Sequence, residues 1–482
     1  MNLRARALAL AANACLLSLG GCMVGPNYSK PPVPIAPAFK EAPPASFKEG
    51  DGWKTAQPND QILRGDWWTM FNDPQLNALE VQVEQANQTL RAADANYRAA
   101  RAAVMFARAG LKPSITTAPG IEAIHESVGK TSDGQIVRAG PGSFTLPIDF
   151  NWEIDLWGRL RRAVTSAAEQ AEASGADLEN ARLSLHAELA IDYFELRSAD
   201  AQEKLLDETI RAYTRALQLT QDRYDGGAAP RSDVAQARTQ LDTARVQRTD
   251  VEVQRTQFEH AIAVLIGKPP SELSLPATPV TTTPPAMPDI PGAVPSQLLE
   301  RRPDIAAEER RMASANEQIG IAQAAYYPVL NLGALGAFNG GSLLGWFSWP
   351  NRVWAVGPTL SETLYDGGRR RANSAIAIAN YDAAVANYRQ TALTAFQQVE
   401  DNLAALRVLE IEAQQQREAT ASAQESLSLF QTRYEGGVDT YLQVVTWQTA
   451  ALLNERADID LMRRRLDASV LLIKALGGGW HT

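Results

Sequence analysis

Arg223-Tyr224-Asp225-Gly226-Gly227 returns 210 residues later as Arg433-Tyr434-Glu435-Gly436-Gly437. The same offset carries Gly158-Arg159 to Gly368-Arg369 and Ile266-Gly267 to Leu476-Gly477. Upstream, Leu111-Lys112-Pro113-Ser114-Ile115 matches Tyr326-Tyr327-Pro328-Val329-Leu330 at an offset of 215. The difference places extra residues of the first copy between Pro113 and Gly158. A length of 482 residues suggests about three domains. The repeat replaces that reading with one body written twice.

Each copy reads as helix, two strands, very long helix, tight turn, helix. The first helix runs from near Pro74, capped by Asn72-Asp73, to Gly110. The long helices run from about Gly158 to Tyr224 and from Gly368 to Tyr434, about 67 residues each, or roughly 100 Å. A seam near 3.5 residues passes through Ala171, Leu178, Leu185, Leu189, Leu196, Ala199, Leu206, Ile210, Tyr213, Leu217 and Tyr224. Its counterpart follows Tyr381, Val385, Tyr388, Ala392, Ala395, Val399, Leu406, Leu409, Ala423, Leu427, Phe430 and Tyr434. A seam sustained that long predicts coiled-coil packing, interrupted at Arg182, Asp192, Glu203 and Asn402. The shorter helices, placed end to end, match one long helix. The glycine pairs 226–227 and 436–437 close the hairpins, because a helix end needs a left-handed residue.

Between the helices the period changes to two. Phe150 to Leu156 alternates apolar with polar or acidic residues, the pattern of a strand with lipid on one side and water on the other. Its expected partner is Ile115 to His125 in the same copy, and the second copy offers the strands Val329 to Phe338 and Val353 to Leu364. A polar glycine-rich loop spans Gly129 to Gly142, and Glu362 breaks the last alternation. Glu153 and Asp155 are read as lining a wet lumen. Trp346, Phe347, Trp349 and Trp354 suit a membrane-interface girdle. Four strands cannot close a barrel, so an oligomer is required; two copies supply eight strands and three supply twelve.

Composition is ordinarily globular, 45% hydrophobic and 21% charged, which excludes collagen-like, mucin-like and wholly disordered chains. A net charge of −9 weighs against nucleic acid as the main partner. Eight prolines from Pro26 to Pro58 and nine from Pro269 to Pro295 mark a tail and a linker. Both cysteines, Cys15 and Cys22, fall in the first 22 residues, so no disulfide framework is available.

Arg4 and Arg6 followed by the apolar run Ala7 to Leu19 form a secretory signal, too short to span a bilayer. It ends Leu19-Gly20-Gly21-Cys22, which resembles the lipobox of bacterial lipoproteins. That resemblance implies cleavage before Cys22 and acylation of it. Several acyl chains at roughly 0.8 kcal/mol per buried CH₂ make a stable anchor. Met23, where an aspartate favours inner-membrane retention, implies the outer membrane of a Gram-negative cell.

The whole pattern resembles the TolC-like outer-membrane factor family, in its lipoprotein branch (the OprM and NodT type). The residues that carry it are Trp67 to Leu76, Trp152-Glu153-Ile154-Asp155-Leu156-Trp157-Gly158-Arg159, Arg301-Arg302-Pro303-Asp304-Ile305, Tyr327-Pro328 and Asp366-Gly367-Gly368-Arg369, in order along nearly the whole mature chain. The resemblance implies a mainly α protein with a membrane β-barrel. Two tandem repeats of long antiparallel coiled coils build an α-barrel tunnel, and four strands per chain contribute to a twelve-stranded barrel in a homotrimer. It also implies a passive exit channel for small molecules (drugs, solvents or metals), fed by an inner-membrane proton-driven pump through a periplasmic adaptor. Tyr224, Arg231, Asp233 and Tyr434 correspond to a closed periplasmic aperture. The turns Gly226-Gly227-Ala228 and Gly436-Gly437-Val438 correspond to the tips that meet the adaptor. Gln443 and Thr446 stand where some members carry paired aspartates, so no double acidic ring is expected.

The expected organisation is a signal peptide over 1–21, a lipid-anchored segment over 22–73, a first repeat over 74–267, a proline-rich linker over 268–295, a second repeat over 296–477 and a tail over 478–482. The sequence carries no enzyme signature: His125, His186, His260 and His481 lack ligand spacing, and there is no phosphate loop or nucleophile elbow. No cofactor is expected. Two other readings compete, a type I protein-secretion duct on the same fold and a lipid-anchored coiled-coil spacer with no pore.

Overall fold

The computed structural model describes residues 23–33, 39–41, 65–122, 129–130, 136–137, 143–277, 301–341 and 345–478. Cys22 and the signal sequence lie outside the described residues, as do His125, most of the linker and most of the tail. The helices are α1 (Pro74–Ala86), α2 (Gln88–Ala109), α3 (Arg159–Asp225), α4 (Arg231–Leu265), α5 (Pro303–Ala324), α6 (Arg369–Glu435) and α7 (Tyr441–Ala475). The strands are β1 (Ser114–Thr116), β2 (Gly120–Glu122), β3 (Gly129–Lys130), β4 (Ile136–Val137), β5 (Ser143–Ile154), β6 (Val329–Gly340) and β7 (Arg352–Ser361). The chain forms two compact units. One draws on Met1–Pro32, Asn96–Gly175 and Ala307–Tyr388, the other on Val33–Ala95, Ala176–Ala306 and Arg389–Thr482. No described helix is long and apolar enough to cross a membrane.

The long helices hold 67 residues each, and the helices after their turns hold 35 each. The two expected seams are buried where they are most apolar: Leu189, Leu196, Leu206, Tyr388, Ala392, Ala395 and Val399 are fully enclosed. Tyr224 departs from its seam and is exposed. Two of the interruptions are satisfied locally. Arg182 pairs with Glu84 at 3.0 Å and also with Glu179, and the Asn402 amide donates to the Gln398 carbonyl at 2.6 Å.

The first helix is not continuous. It breaks at Asn87, whose side-chain carbonyl accepts from the Leu90 N–H at 2.9 Å and caps α2. The Asn87 amide donates to the carbonyl of Leu265 at 2.8 Å, one of the orphan acceptors at the end of α4. The second copy repeats the device with different chemistry. Arg302, 215 residues further on, interrupts the helical run before α5 and donates to the carbonyl of Ala475 at the end of α7, 3.0 Å away. Gly267 and Gly477, each just past one of these helices, have φ +71° and +88°. A Cβ on Gly267 would stand 2.4 Å from the Ala86 carbonyl oxygen, and one on Gly477 3.0 Å from that of Arg301. Both positions demand glycine for conformation and for space.

The large core of the second unit gathers around the start of α1. Trp67, Trp68 and Phe71 pack with Leu189, Phe194 and Leu196 of α3, Val399 and Leu406 of α6, and Leu472 and Ile473 of α7. Asp73 caps α1 through the N–H groups of Gln75 and Leu76 and accepts the hydroxyl of Tyr193 at 2.6 Å. Pro74 sits at the first helical position, where its missing N–H costs nothing.

The sheet runs β1/β2–β5–β6–β7, antiparallel throughout. The first expected strand is split, because Pro119 interrupts the ladder between β1 and β2. The last ends at Ser361, so Glu362 lies beyond it and does not interrupt the alternation. β5 begins seven residues before Phe150 and ends at Ile154, leaving Asp155 and Leu156 in the turn to α3. The extra residues of the first copy fall in the excursion that carries the small β3–β4 ribbon.

Asn87→Ala should cost about 1–2 kcal/mol, from the lost cap and the unpaired Leu265 carbonyl. Gly267→Ala should cost about 1–3 kcal/mol by straining φ and crowding Ala86. Denaturant midpoints of the purified protein check both.

Candidate functional site

Three regions are candidates, each described by itself: the sheet, its junction with the long helices, and the hairpin turns. The register puts Ile154, Leu330 and Leu360 in one row across β5, β6 and β7; Trp152, Leu332 and Pro358 form the next, then Phe150, Ala334 and Val356. Ile115 and Ile121 extend this face onto β1 and β2. The opposite face carries Ser114, Thr116, Thr145, Asp149, Asn151, Glu153, Asn331 and Thr359. Within this chain the apolar face is uncovered: Ile115, Ile121, Trp354, Val356 and Leu360 are exposed. A sheet apolar on one face and polar on the other is the arrangement of a membrane wall around water. Its two edges, β1/β2 and β7, have no strand partner among the described residues. At the end away from the helices Trp346 packs on Phe144 and Phe347, and Arg352 lies 4.0 Å over the ring of exposed Trp349.

At the helix end, acids turn strand into helix. Asp155 accepts from the N–H groups of Leu160 and Arg161 and pairs with the Arg161 side chain. Asp366 does the same for α6 through Gly368 and Arg370. Glu153 is held by the Arg159 guanidinium at 2.7 Å. Asp155 thus caps the helix, and Glu153, on the polar face, is paired with Arg159.

The chain immediately after Cys22 docks at this junction. Val24 donates to the Trp157 carbonyl at 3.1 Å and accepts from Arg162 Nε at 2.7 Å. Arg162, almost wholly buried, also binds Glu317 at 2.7 Å, and Gly158 backs onto Met23. Trp157 stacks on Tyr327, with 4.7 Å between ring centres, and donates to the Pro328 carbonyl.

The turns at 226–228 and 436–438 close in the same way. The N–H of Ala228 bonds to the carbonyl of Arg223 and that of Gly227 to Tyr224; Val438 and Gly437 repeat this with Arg433 and Tyr434. Gly227 and Gly437 supply the left-handed residue at φ +72° and +76°. Beyond that the copies differ. Tyr224, Arg231 and the tip residues Gly226, Gly227 and Ala228 are exposed, and Asp233, in the first turn of α4, is half-buried. Tyr434 is buried against Tyr441, 5.3 Å between ring centres, with Ala237 and Val444. Burial drives the Tyr441 hydroxyl well above its ordinary pKa, reinforced by Tyr434, Tyr213 and Asp233. Gly436, Gly437 and Val438 are exposed at the second tip.

Sequence reasoning missed the residue that joins the two hairpins. Arg223 donates to the Tyr434 carbonyl at 2.6 Å, and its guanidinium lies 4.6 Å from the centre of the Tyr434 ring. Its counterpart Arg433 instead pairs with Asp439 in its own turn. The signal was legible: Asp439 corresponds to Ala229, so the first turn offers its arginine no acid. Arg223→Ala should therefore speed hydrogen exchange severalfold over 432–441, and by more than Arg433→Ala, which removes only an exposed ion pair within that segment; peptide-resolved exchange checks this.

Long helical hairpins and a two-faced, open-edged sheet are the elements of an outer-membrane channel subunit. The chain belongs to the outer membrane efflux protein family, which matches residues 79–268 and 294–478. It is 32% identical over 478 residues to the outer membrane protein OprJ of Pseudomonas aeruginosa, covering 99% of this chain and 97% of that one. It is 31% identical to the toluene efflux pump outer membrane protein TtgF of Pseudomonas putida, over 97% of this chain and 96% of that protein. The solved structure of the outer-membrane channel OprN superposes with a TM-score of 0.82 at 28% identity, covering 95% of this chain and 100% of the other. The protein is accordingly an outer-membrane efflux channel component.

Proposed function

We propose that three copies of this chain close a twelve-stranded barrel and a helical tunnel, forming the passive exit duct of a tripartite efflux system. A periplasmic adaptor meets the turns at 226–228 and 436–438, and an inner-membrane proton-driven pump supplies the energy. The cargo is small molecules of the drug or solvent class, in keeping with the toluene efflux pump named for TtgF. The carrying observation is the sheet, whose uncovered apolar face and two free edges need lipid and further strands. A poreless spacer would leave both unsatisfied.

Lipid on Cys22 fits this arrangement, since the residues next to it are bound beside Gly158 and Arg162, where strand gives way to helix. In this reading Tyr224, Arg231 and Asp233 of neighbouring copies narrow the periplasmic end, while Tyr434 and Arg223 fix the hairpins behind them.

Single-channel recording in a planar bilayer tests the duct. Discrete small steps are expected for the wild type and larger ones for Asp233→Ala. Silence from well-assembled protein overturns the channel, and equal steps move the constriction elsewhere. Cys22→Ser should abolish lipid labelling and leave the assembled oligomer intact; a labelled Cys22→Ser product removes the anchor from the proposal.

A further inference from the structure

Phe106, Leu364 and Tyr365, all in the first unit, are the most exposed large apolar side chains among the described residues, at 84%, 88% and 87%. Phe106 lies in the last turn of α2, just before β1. Leu364 and Tyr365 lie between the end of β7 and the start of α6.

The helices of that unit repeat the order of its strands. Each is joined directly to one strand: α2 to β1, α3 to β5, α5 to β6 and α6 to β7. Tyr97 of α2 lies over Gly175 of α3, where an added Cβ would stand 3.2 Å from its ring. Helices α3 and α5 are tied by Arg162 and Glu317 and by the hydroxyls of Ser166 and Ser314, 2.8 Å apart. Arg370 of α6 lies 5.3 Å from the ring centre of Tyr326, just past α5. The sheet runs β1–β5–β6–β7, so α2 and α6 are the two flanks, each continuing a free edge. The α2 flank is bare, with no buried residue from Asn96 to Ala109.

The exposed trio is thus divided between opposite flanks at one level. Ser114 pairs with Asn151 near the end of β5, and Ser361 pairs with Val329 at the start of β6, both at the helix end of the sheet. Three strand spacings, roughly 14 Å in all, separate the two edges, so Phe106 does not meet Leu364 within one chain. In a closed ring, β7 of one copy faces β1 and β2 of the next, which sets the α6 flank of one against the α2 flank of the other. Strand pairing across that seam is short: β1 and β2 hold three residues each against ten in β7, and Pro119 between them has no N–H to give. Helix α2 also carries Arg98, Arg101 and Arg108, which unsuits its flank to lipid. A neighbouring copy is the cover that fits.

We propose that Phe106 of one copy packs on Leu364 and Tyr365 of the next, an apolar clasp that locks the ring where the strand ladder is weakest. The inference rests on the ring reading given above. The two flanks are unlike, so the contact runs head to tail and uses each copy's trio once around the ring. Burial of large apolar side chains supplies the attraction that the short ladder lacks.

A short bismaleimide added to the purified protein in detergent tests the clasp. Both natural cysteines fall in the first 22 residues, so thiols placed at 106 and 364 have no competitor in the body of the chain. The double variant Phe106→Cys with Leu364→Cys should run on a denaturing gel as a covalent series up to the full oligomer. Each single variant should stay at monomer mass. A double variant that is oligomeric by native mass yet monomeric on the gel overturns the clasp and leaves the ring standing. Wild-type protein that is monomeric by native mass overturns the ring reading, and the clasp with it. A covalent dimer from either single variant also overturns the clasp, because like residues meet across a two-fold interface. Should the double variant fail to assemble, the two single-variant chains are co-expressed. Their mixed oligomers should then yield a covalent dimer, and its absence overturns the proposal.

Discussion

A strand in lipid has no water to pair with its backbone, so each N–H and C=O must find a partner in protein. In this chain β6 is paired along both edges and β5 along its β6 edge and part of the other, while β1/β2 and β7 leave a row of groups open on either side. In the proposed oligomer further copies of the chain meet that demand, and each brings two 67-residue helices with its strands. The acids at each strand-to-helix turn, Asp155 and Asp366, hold the two kinds of structure in fixed relation.

The two copies share a backbone plan more strictly than a chemistry. Asn87 and Arg302 stand at the same place and reach the same acceptor, the carbonyl ending the short helix, one through an amide and the other through a guanidinium also bound to Asp304 at 2.7 Å. What persists is the glycine beyond that helix, because Gly267 and Gly477 must let a carbonyl approach where a Cβ would collide. Orphan acceptors can be satisfied by many donors, but space beside a backbone has one solution.

Much of this was legible because the patterns are periodic. The seam residues from Leu189 to Leu206 and from Tyr388 to Val399 repeat with the helix, and the rows led by Trp152 and Phe150 alternate with the strand. The failures have physical causes. Asparagine is unremarkable within a helix, so the break at Asn87 shows only once the Leu265 carbonyl is brought to it. Glu362 looked like an intruding charge because a strand end has no sharp mark of its own. Arg223 and Tyr434 lie 211 residues apart, and only the folded hairpins bring them together. The contact of His186 with Glu80, 2.6 Å apart in the core, was equally silent, since a lone histidine on a helix looks the same whether buried or wet. Of the expected site residues, the turn glycines were the most readable and Tyr434, hidden behind the surface, the least.

Joining two copies in one polypeptide has a consequence for how such a ring can diversify. In a ring assembled from separate single repeats, any substitution would be imposed on every member at once, and neighbouring tips would be forced to stay alike. Fusion removes that constraint. Ala229 and Asp439 now differ, so one tip keeps its arginine for itself and the next lends it across. Alternation of this kind is open only to a chain that carries both members of the pair.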